Sequence, residues 1–523
     1  METFTQITTA AQTEAATNGY PTIHGIPATP NNLKRVANVR PDNWQNPTPQ
    51  SMYNMLVIGG GSAGLVTAII AAGLGAKVAL IEKHMMGGDC LNVGCVPSKA
   101  VIRSANIMGQ IMKAKDFGIT GSSGKVDFGE VMERVRRVLA ELSPNDSVWR
   151  YKELGVDIFL GEGRFTGRNQ LQVAGAQINF KKAVIATGSR AVVPAIPGLA
   201  ESGFLTNETL WNLMEQPRRM AVIGGGPIGC EMTQAFQRLG TQVTLFDAAA
   251  HILIREDADA AEIVQQAMIR EGVHLVLNSK VTKIEVVNGE KLVHFEAAGK
   301  SDKVVVDELL VAVGRAANVE DLGLETAGVE FARQGITTND FLQTTNPDIY
   351  AAGDVGMAYK FTHAANAAAR IVVQNALFFG RKKVSELNMP WCTYTDPEIA
   401  HVGIYEHQAK EKGMTVDTYT IHFDDNDRAV ADGETEGFVR VHCKKGSDQI
   451  VGATIVAPQA GEMLNEITLA MNAGIGLGKL GDVIHPYPTQ AEAIARVAGL
   501  YTKTRLTPMV KQLFNAWLAW SRR

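Results

Sequence analysis

At 523 residues the chain exceeds one ordinary domain, and three or four are expected from typical domain sizes. Apolar residues make up 46% and charged residues 20%, the balance of a globular enzyme, and a net charge of −4 speaks against a nucleic-acid or general membrane-surface protein. Five cysteines, few and odd in number, exclude a secreted disulfide scaffold, so a close pair reads as catalytic in a reducing cytosol.

Residues 1–50 are rich in Thr, Ala, Asn, Gln and Pro without apolar periodicity, and they read as a mobile leader. Glu2 and Glu14 come before the first basic residue, Lys34, and no apolar core precedes it. This pattern fits neither a secretory signal nor a transit peptide and predicts a cytoplasmic protein. Structured sequence is expected from Met55. Tyr53–Ala76 is charge-free and long enough to raise a membrane question, but Gly59, Gly60, Gly61, Gly64 and Gly73 mark a buried strand–turn–helix.

An internal repeat follows. Residues 55–82 (MLVIGGGSAGLVTAIIAAGLGAKVALIE) align without a gap on residues 220–247 (MAVIGGGPIGCEMTQAFQRLGTQVTLFD). Each copy reads as strand, glycine turn, helix, second strand and acid, the dinucleotide-binding βαβ unit. Gly59 permits the tight turn, Gly61 lets the backbone approach a pyrophosphate, and Gly64 allows close helix–strand packing. Glu82 ends the second strand where a carboxylate can accept hydrogen bonds from a ribose. Gly224, Gly226, Gly229 and Asp247 repeat the arrangement. Two sites imply two dinucleotides, with FAD and a nicotinamide the economical pair. Asp247 is followed by Ala248, Ala249, Ala250 and His251, and the first base beyond is Arg255. A 2′-phosphate needs a nearer cation, so NADH is expected over NADPH.

Between the copies lie an expected helix around Val101–Lys115 and a β-rich stretch, Val156–Thr187. From about 386, strand-like runs (Gly437–His442, Ile450–Val456) and helical segments (Glu462–Ala473, Glu492–Thr502) predict a separate α+β domain. Leu506, Met509, Val510, Leu513, Phe514, Trp517 and Leu518 recur at helical spacing, near Lys511, Arg522 and Arg523. Packing on a dimer is expected there over membrane contact, since one short segment binds weakly.

Directly after the first βαβ unit comes Gly87-Gly88-Asp89-Cys90-Leu91-Asn92-Val93-Gly94-Cys95-Val96-Pro97-Ser98-Lys99. Here the chain resembles the pyridine nucleotide–disulfide oxidoreductases, among them glutathione reductase, dihydrolipoamide dehydrogenase and mercuric reductase, over about residues 53–502. Such proteins pass a hydride from NAD(P)H through FAD to a cysteine pair. The resemblance implies that Cys90 exchanges with substrate and that Cys95 lies against the flavin as a thiolate, the reactive form. It also implies an ion pair, Lys99 with Glu231, beside the flavin and nicotinamide. Ala186-Thr187-Gly188 and Val313-Gly314-Arg315 match the family's crossings between nucleotide domains. In Tyr350-Ala351-Ala352-Gly353-Asp354, the aspartate would bind the ribityl chain. Ser62, Ala63, Lys83, Gly88 and Asp89 complete the implied cofactor contacts. Thr395–Gly403 resembles the entry to a dimerisation domain.

The implied fold class is α/β, with two Rossmann-type (FAD/NAD(P)-binding) doubly wound domains and a C-terminal α+β dimerisation domain. Its expected divisions are 51–190 for FAD and the redox pair, 191–320 for NAD(P), 321–385 for a return to the FAD domain, and 386–523 for dimerisation with a C-terminal helix. A homodimer whose active site is shared between subunits follows from the same resemblance.

Disulfide-reducing members carry His-x-His-Pro-Thr and then a Glu, the second His being the acid–base. Here His485-Pro486-Tyr487-Pro488-Thr489 leads to Glu492, so Tyr487 stands in the base's place with an unperturbed pKa of about 10. Mercuric reductases carry Tyr at this position, and Asp427–Gly433 resembles theirs. The expected acceptor is therefore a metal ion bound as substrate by Cys90 and Cys95, with no structural metal, although the Cys-x-x-Cys and tail cysteine pair of mercuric reductases are missing. A dihydrolipoamide dehydrogenase or glutathione reductase-like enzyme using His485 as base, and a slow flavin-bound redox sensor, are the alternatives. Cys230, Cys392 and Cys443 read as buried spectators.

Overall fold

The computed structural model describes residues 21–523; positions 1–20 of the expected leader lie outside the described residues. Two units emerge, one running to Ala250 and including Glu271–Leu387, the other combining His251–Arg270 with Asn388–Arg523.

In the first unit, apolar runs become strands of a parallel sheet. Tyr53–Ile58 pairs with Val78–Glu82 on one side and Ala176–Ile185 on the other, with Val156–Leu160 and Ile349–Ala351 outside them. Met55, Leu56, Val57, Val78, Ala79 and Leu80 are all fully buried, as a sheet covered on both faces requires. The chain leaves Tyr53–Ile58 toward both edges, and the order reverses at the carboxyl ends, the place where doubly wound sheets bind their ligands. Motifs far apart in sequence meet at that edge: Gly59 follows Ile58, Glu82 ends its strand, Ala186 follows Ile185, and Gly353 trails Ala351. A second parallel sheet repeats the plan with His274–Val276, Gln242–Phe246, Arg219–Ile223 and Glu308–Val311. Gly224, Asp247 and Gly314 follow three of its strands. Ser189–Ala191 and Arg315–Ala317, the two crossings read from the sequence, pair antiparallel.

The second unit is a five-stranded antiparallel sheet in the order Pro390–Thr393, Glu398–Gly403, Ile450–Ala457, Phe438–Lys444, Val416–His422. Helices Ala460–Ala473 and Glu492–Thr504 close its core. His251–Arg270 belongs here, interrupting the nucleotide domain expected at 191–320. Trp391 Nε1 donates to Glu256 Oε1 at 2.8 Å, and Arg440 Nη1 donates to Asp257 Oδ2 at 3.1 Å.

Two further expectations are corrected. Residues 21–50 are no mobile leader: a Thr22–Pro27 hairpin precedes the helix Pro30–Val39, which buries Val36 and Val39 and packs on the helix Phe128–Leu142. Only a few inward positions carry that helix, too weak a period to stand out. Thr29-Pro30 was the available signal, a cap followed by a first-turn proline. The helix expected from Val101 begins at Cys95 and ends at Lys113, because Pro97 in the first turn removes no intrahelical bond.

A Cβ on Gly64 would lie 1.8 Å from Gly59 O, whereas one on Gly73 would meet nothing within 4 Å. Gly64→Ala is therefore expected to cost about 3 kcal/mol or more in urea unfolding. Gly73→Ala, in the same helix, should be neutral or gain about 0.5 kcal/mol. Equal stability of the two variants would contradict the close-packing argument.

Candidate active site

The two glycine turns are built alike. Gly59 has φ 107° and a Cβ there would lie 2.3 Å from Ala186 O; Gly224 has φ 111° and would meet Ala312 O at 2.5 Å. Glu82 accepts from Gly60 N and His84 N, both at 2.6 Å. Asp247 accepts from Gly225 N at 2.5 Å and Ala249 N at 2.7 Å. Both acids thus clamp their glycine turns, a use the sequence reading did not foresee, and each oxygen keeps a lone pair for a ribose hydroxyl. Burial pushes the Glu82 carboxyl up, and its two backbone bonds pull it back. The helices Ser62–Gly73 and Pro227–Arg238 begin at Gly61 and Gly226 without a side-chain cap. Their first-turn N–H groups, those of Ser62, Ala63 and Gly64 in the first copy, are left for phosphate. Nothing lies within 4 Å of where a Gly226 Cβ would be. Both turns fit a dinucleotide.

The redox loop is pressed onto the first turn. Gly88 has φ 53°, and a Cβ on it would lie 2.6 Å from Gly61 Cα. Cys90 sits in the short helix Gly88–Asn92, and Cys95 opens the 19-residue helix Cys95–Lys113. The two thiols interact with each other, and Cys95 Sγ lies 3.2 Å from Thr362 Oγ1. Chiefly through its interaction with Cys90, and further through Thr362 and the Lys99 charge, the Cys95 pKa is lowered. The same interaction, with burial, raises Cys90. Lys99 Nζ donates to Glu231 Oε2 at 2.8 Å, so a buried carboxylate of the second nucleotide half faces the redox helix. The carbonyls between the cysteines are held too. Trp211 Nε1 donates to Val93 O at 2.9 Å, and buried Arg35 reaches within 3.5 Å of Asn92 O. Thr362, Trp211 and Arg35 carry no local sequence signal for these roles.

Around the crossing strands, Thr187 Oγ1 donates to Asn318 O at 2.7 Å. Ser189 Oγ donates to Asp354 Oδ2 at 2.5 Å and accepts from Arg315 Nε at 2.7 Å. Arg315 also pairs with Asp89, whose carboxyl is raised by burial. Gly353 (φ 79°) lies close to Ala63, and Gly188 (φ 71°) and Gly314 (φ 126°) need the same left-handed freedom. Lys83 is half-buried beside Glu82, and its carbonyl accepts from Arg40.

Tyr487, His485 and Glu492 belong to the second unit. Tyr487 is 69% exposed; its hydroxyl donates to Asp427 Oδ2 at 2.7 Å, a bond that chiefly raises its pKa. Glu492 opens the helix Glu492–Thr504, and its charge raises Tyr487 further. The His485 side chain is buried, with Nε2 3.1 Å from both Glu466 oxygens and Nδ1 3.1 Å from Val483 O. Thus His485 finds a carboxylate, and it is Glu466.

Two uncapped dinucleotide turns and a cysteine pair packed on the first of them define a flavin- and nicotinamide-linked dithiol enzyme. A family model described as pyridine nucleotide-disulphide oxidoreductase matches residues 53–369, and that family's dimerisation domain matches residues 389–498. The chain belongs to the pyridine nucleotide-disulphide oxidoreductase family, as a class I flavoprotein disulfide reductase. Its family members bind FAD and use NAD(P)H. A mercuric reductase of Staphylococcus aureus is 36% identical over 452 residues, covering 86% of this chain and 83% of that protein. A dihydrolipoyl dehydrogenase of Geobacillus stearothermophilus is 34% identical over 449 residues, covering 85% and 95%. The solved structure of the HOCl-induced flavoprotein disulfide reductase RclA from Escherichia coli matches with a TM-score of 0.77 at 29% identity, over 86% of this chain and all of that one. RclA has also been solved as a Cu(II) complex.

As pH falls through the lowered Cys95 pKa, the thiolate is lost; removing the Lys99 cation should move that loss to higher pH. Ultraviolet thiolate absorbance of the reduced protein, with Cys95→Ser as blank, reads it. An unmoved midpoint in Lys99→Met would show that Lys99 does not tune the thiol.

Proposed function

We propose that the chain is an NADH-linked, FAD-dependent reductase whose Cys90–Cys95 pair delivers an electron pair to a soft metal ion held by the two sulfurs. The observation that carries this reading is Tyr487, hydrogen-bonded to Asp427 where disulfide-reducing members place a histidine. FAD, when bound, supplies the two-electron relay between the nicotinamide and the disulfide. The chain's own residues do the rest. The glycine turns seat the dinucleotides, Lys99 and Glu231 are set between the two halves, and Cys95 carries the thiolate. Cleaving an organic disulfide releases a thiolate of ordinary pKa about 8.5, and protonating it from a phenol raised above about 10 is uphill. A thiophilic cation makes no such demand, since thiolates are its ligands and its binding expels the remaining thiol proton. The mercuric reductase relatives and the Cu(II) complex of RclA support a metal acceptor.

A second reading, an organic disulfide reductase, is favoured by the His485–Glu466 pair, a histidine oriented by a carboxylate. Dihydrolipoyl dehydrogenases stand at nearly the same identity as the mercuric reductases. The dimerisation-domain match further supports a homodimer in which the C-terminal unit of a second copy completes the cysteine site.

One preparation assayed with Hg(II), Cu(II), lipoamide and glutathione disulfide, each with NADH and NADPH, tests the proposal. Metal reduction with NADH should lead, and Tyr487→His should raise disulfide reduction by up to about 10²-fold. A wild-type kcat/KM above ~10⁴ M⁻¹ s⁻¹ for either disulfide, lost in His485→Gln, would install the second reading. A wild-type preference for NADPH would overturn the argument from Asp247.

Mixing inactive Cys90→Ser protomers with inactive Glu492→Gln protomers should restore part of the activity if sites are shared. Mixtures no more active than their components would show that each chain carries a whole site.

A further inference from the structure

The last helix of the chain has no part in the site described. Pro508 takes its first turn and Thr507 caps it, accepting from Val510 N at 3.3 Å, so local chemistry alone defines Pro508–Ser521. None of its residues is buried: Met509 is 79% exposed, Leu513 66%, Trp517 61% and Trp520 65%. At about 100° per residue these four, with Val510 and Phe514, fall on one face. Lys511, Gln512, Asn515 and Arg522 fall on the other. The Trp517 and Trp520 rings lie 5.2 Å apart within the apolar face.

Charge says what this face meets. After Glu492 the chain contains no Asp or Glu; Arg496 is paired with Asp425, while Lys503, Arg505, Lys511, Arg522 and Arg523 add positive charge to this end of a protein of net charge −4. Fields of exposed charges fade within about 10 Å at ordinary salt, so this end of the chain presents its own sign whatever the total. The family's dimerisation domain matches only to residue 498, before the helix begins. A second copy of the chain would cover the apolar face and leave the cations unanswered. An anionic bilayer surface answers both: the apolar arc enters the acyl boundary, tryptophans sit at headgroup depth, and cations meet lipid phosphates.

We propose that Pro508–Ser521 docks this protein, lying flat, on anionic lipid membranes. No helix among the described residues is long and apolar enough to cross a membrane, so the attachment is interfacial. One short helix binds reversibly, and here the apolar face and the cations supply the two signals that attachment needs. This reverses the dimer packing expected from the sequence.

The full-length holoenzyme, mixed with vesicles of phosphatidylcholine alone or with equal parts phosphatidylglycerol and then sedimented, provides the test. It should pellet with the anionic vesicles and release at high salt. Trp517→Glu with Leu513→Glu should abolish pelleting. Lys511→Gln, Arg522→Gln and Arg523→Gln should weaken it by roughly fivefold for each cation removed. Native mass and NADH-dependent turnover should stay unchanged in every variant. Absence of wild-type pelleting, or equal pelleting of the variants, overturns the proposal. A fall in native mass in Trp517→Glu would likewise overturn it, assigning the face to a second copy.

Discussion

The first unit depends on how closely one helix lies against the strand before it. A Cβ on Gly64 would lie 1.8 Å from Gly59 O, and one on Gly229 would lie 1.9 Å from Gly224 O, so each helix starts in contact with its turn. That closeness brings unpaired N–H groups to the carboxyl edge of each sheet. A buried acid fixes each turn from the other side. Glu82 gives up hydration to do so, and two backbone N–H bonds offset the loss. Because Gly88 then rests on Gly61, the redox helix inherits its position from the same turn.

The second half is tied to that position by charge. Glu231 is buried on the helix that follows Gly226, and its partner Lys99 lies one turn beyond Cys95. Such a pair adds little to stability, since desolvating the carboxylate consumes most of the attraction. Its use is placement. A cation is held near the sulfur whose thiolate the chemistry needs, and the redox helix is bonded to the nicotinamide half there and again where Arg238 Nη1 donates to Asn106 Oδ1 at 2.7 Å.

The parts of this site visible in the sequence are those where chemistry restricts residue type at fixed spacing. Gly59, Gly61, Gly64 and their second copies are required by clearance, and Cys90 and Cys95 by redox function. Contacts made across the fold left no such mark. Thr362 reaches Cys95 from 267 residues away, and Arg35 approaches Asn92 from a helix whose composition resembled a linker. Glu82 and Asp247 were legible as acids at strand ends, but their grip on the glycine turns was not. The segment His251–Arg270 carries no composition shift. It joins the C-terminal unit through Glu256, Asp257 and Asp259, whose partners Trp391, Tyr405 and Arg440 lie more than a hundred positions on.

The proton count of the thiol pair bears on the acceptor independently of Tyr487. With Cys95 lowered and Cys90 raised, a proton on the pair is favoured on Cys90, which in the proposed reading is the sulfur that meets substrate. Attack on an organic disulfide would require Cys90 to lose that proton first and the leaving sulfur to gain one afterwards. Both steps call for a group titrating near neutrality, and the phenol of Tyr487 is moved away from it. A soft cation binding both sulfurs displaces the proton itself, and water can carry it away. The shifted thiols and the tyrosine therefore favour the same class of acceptor, although they lie in different units of the chain and arise from unrelated contacts.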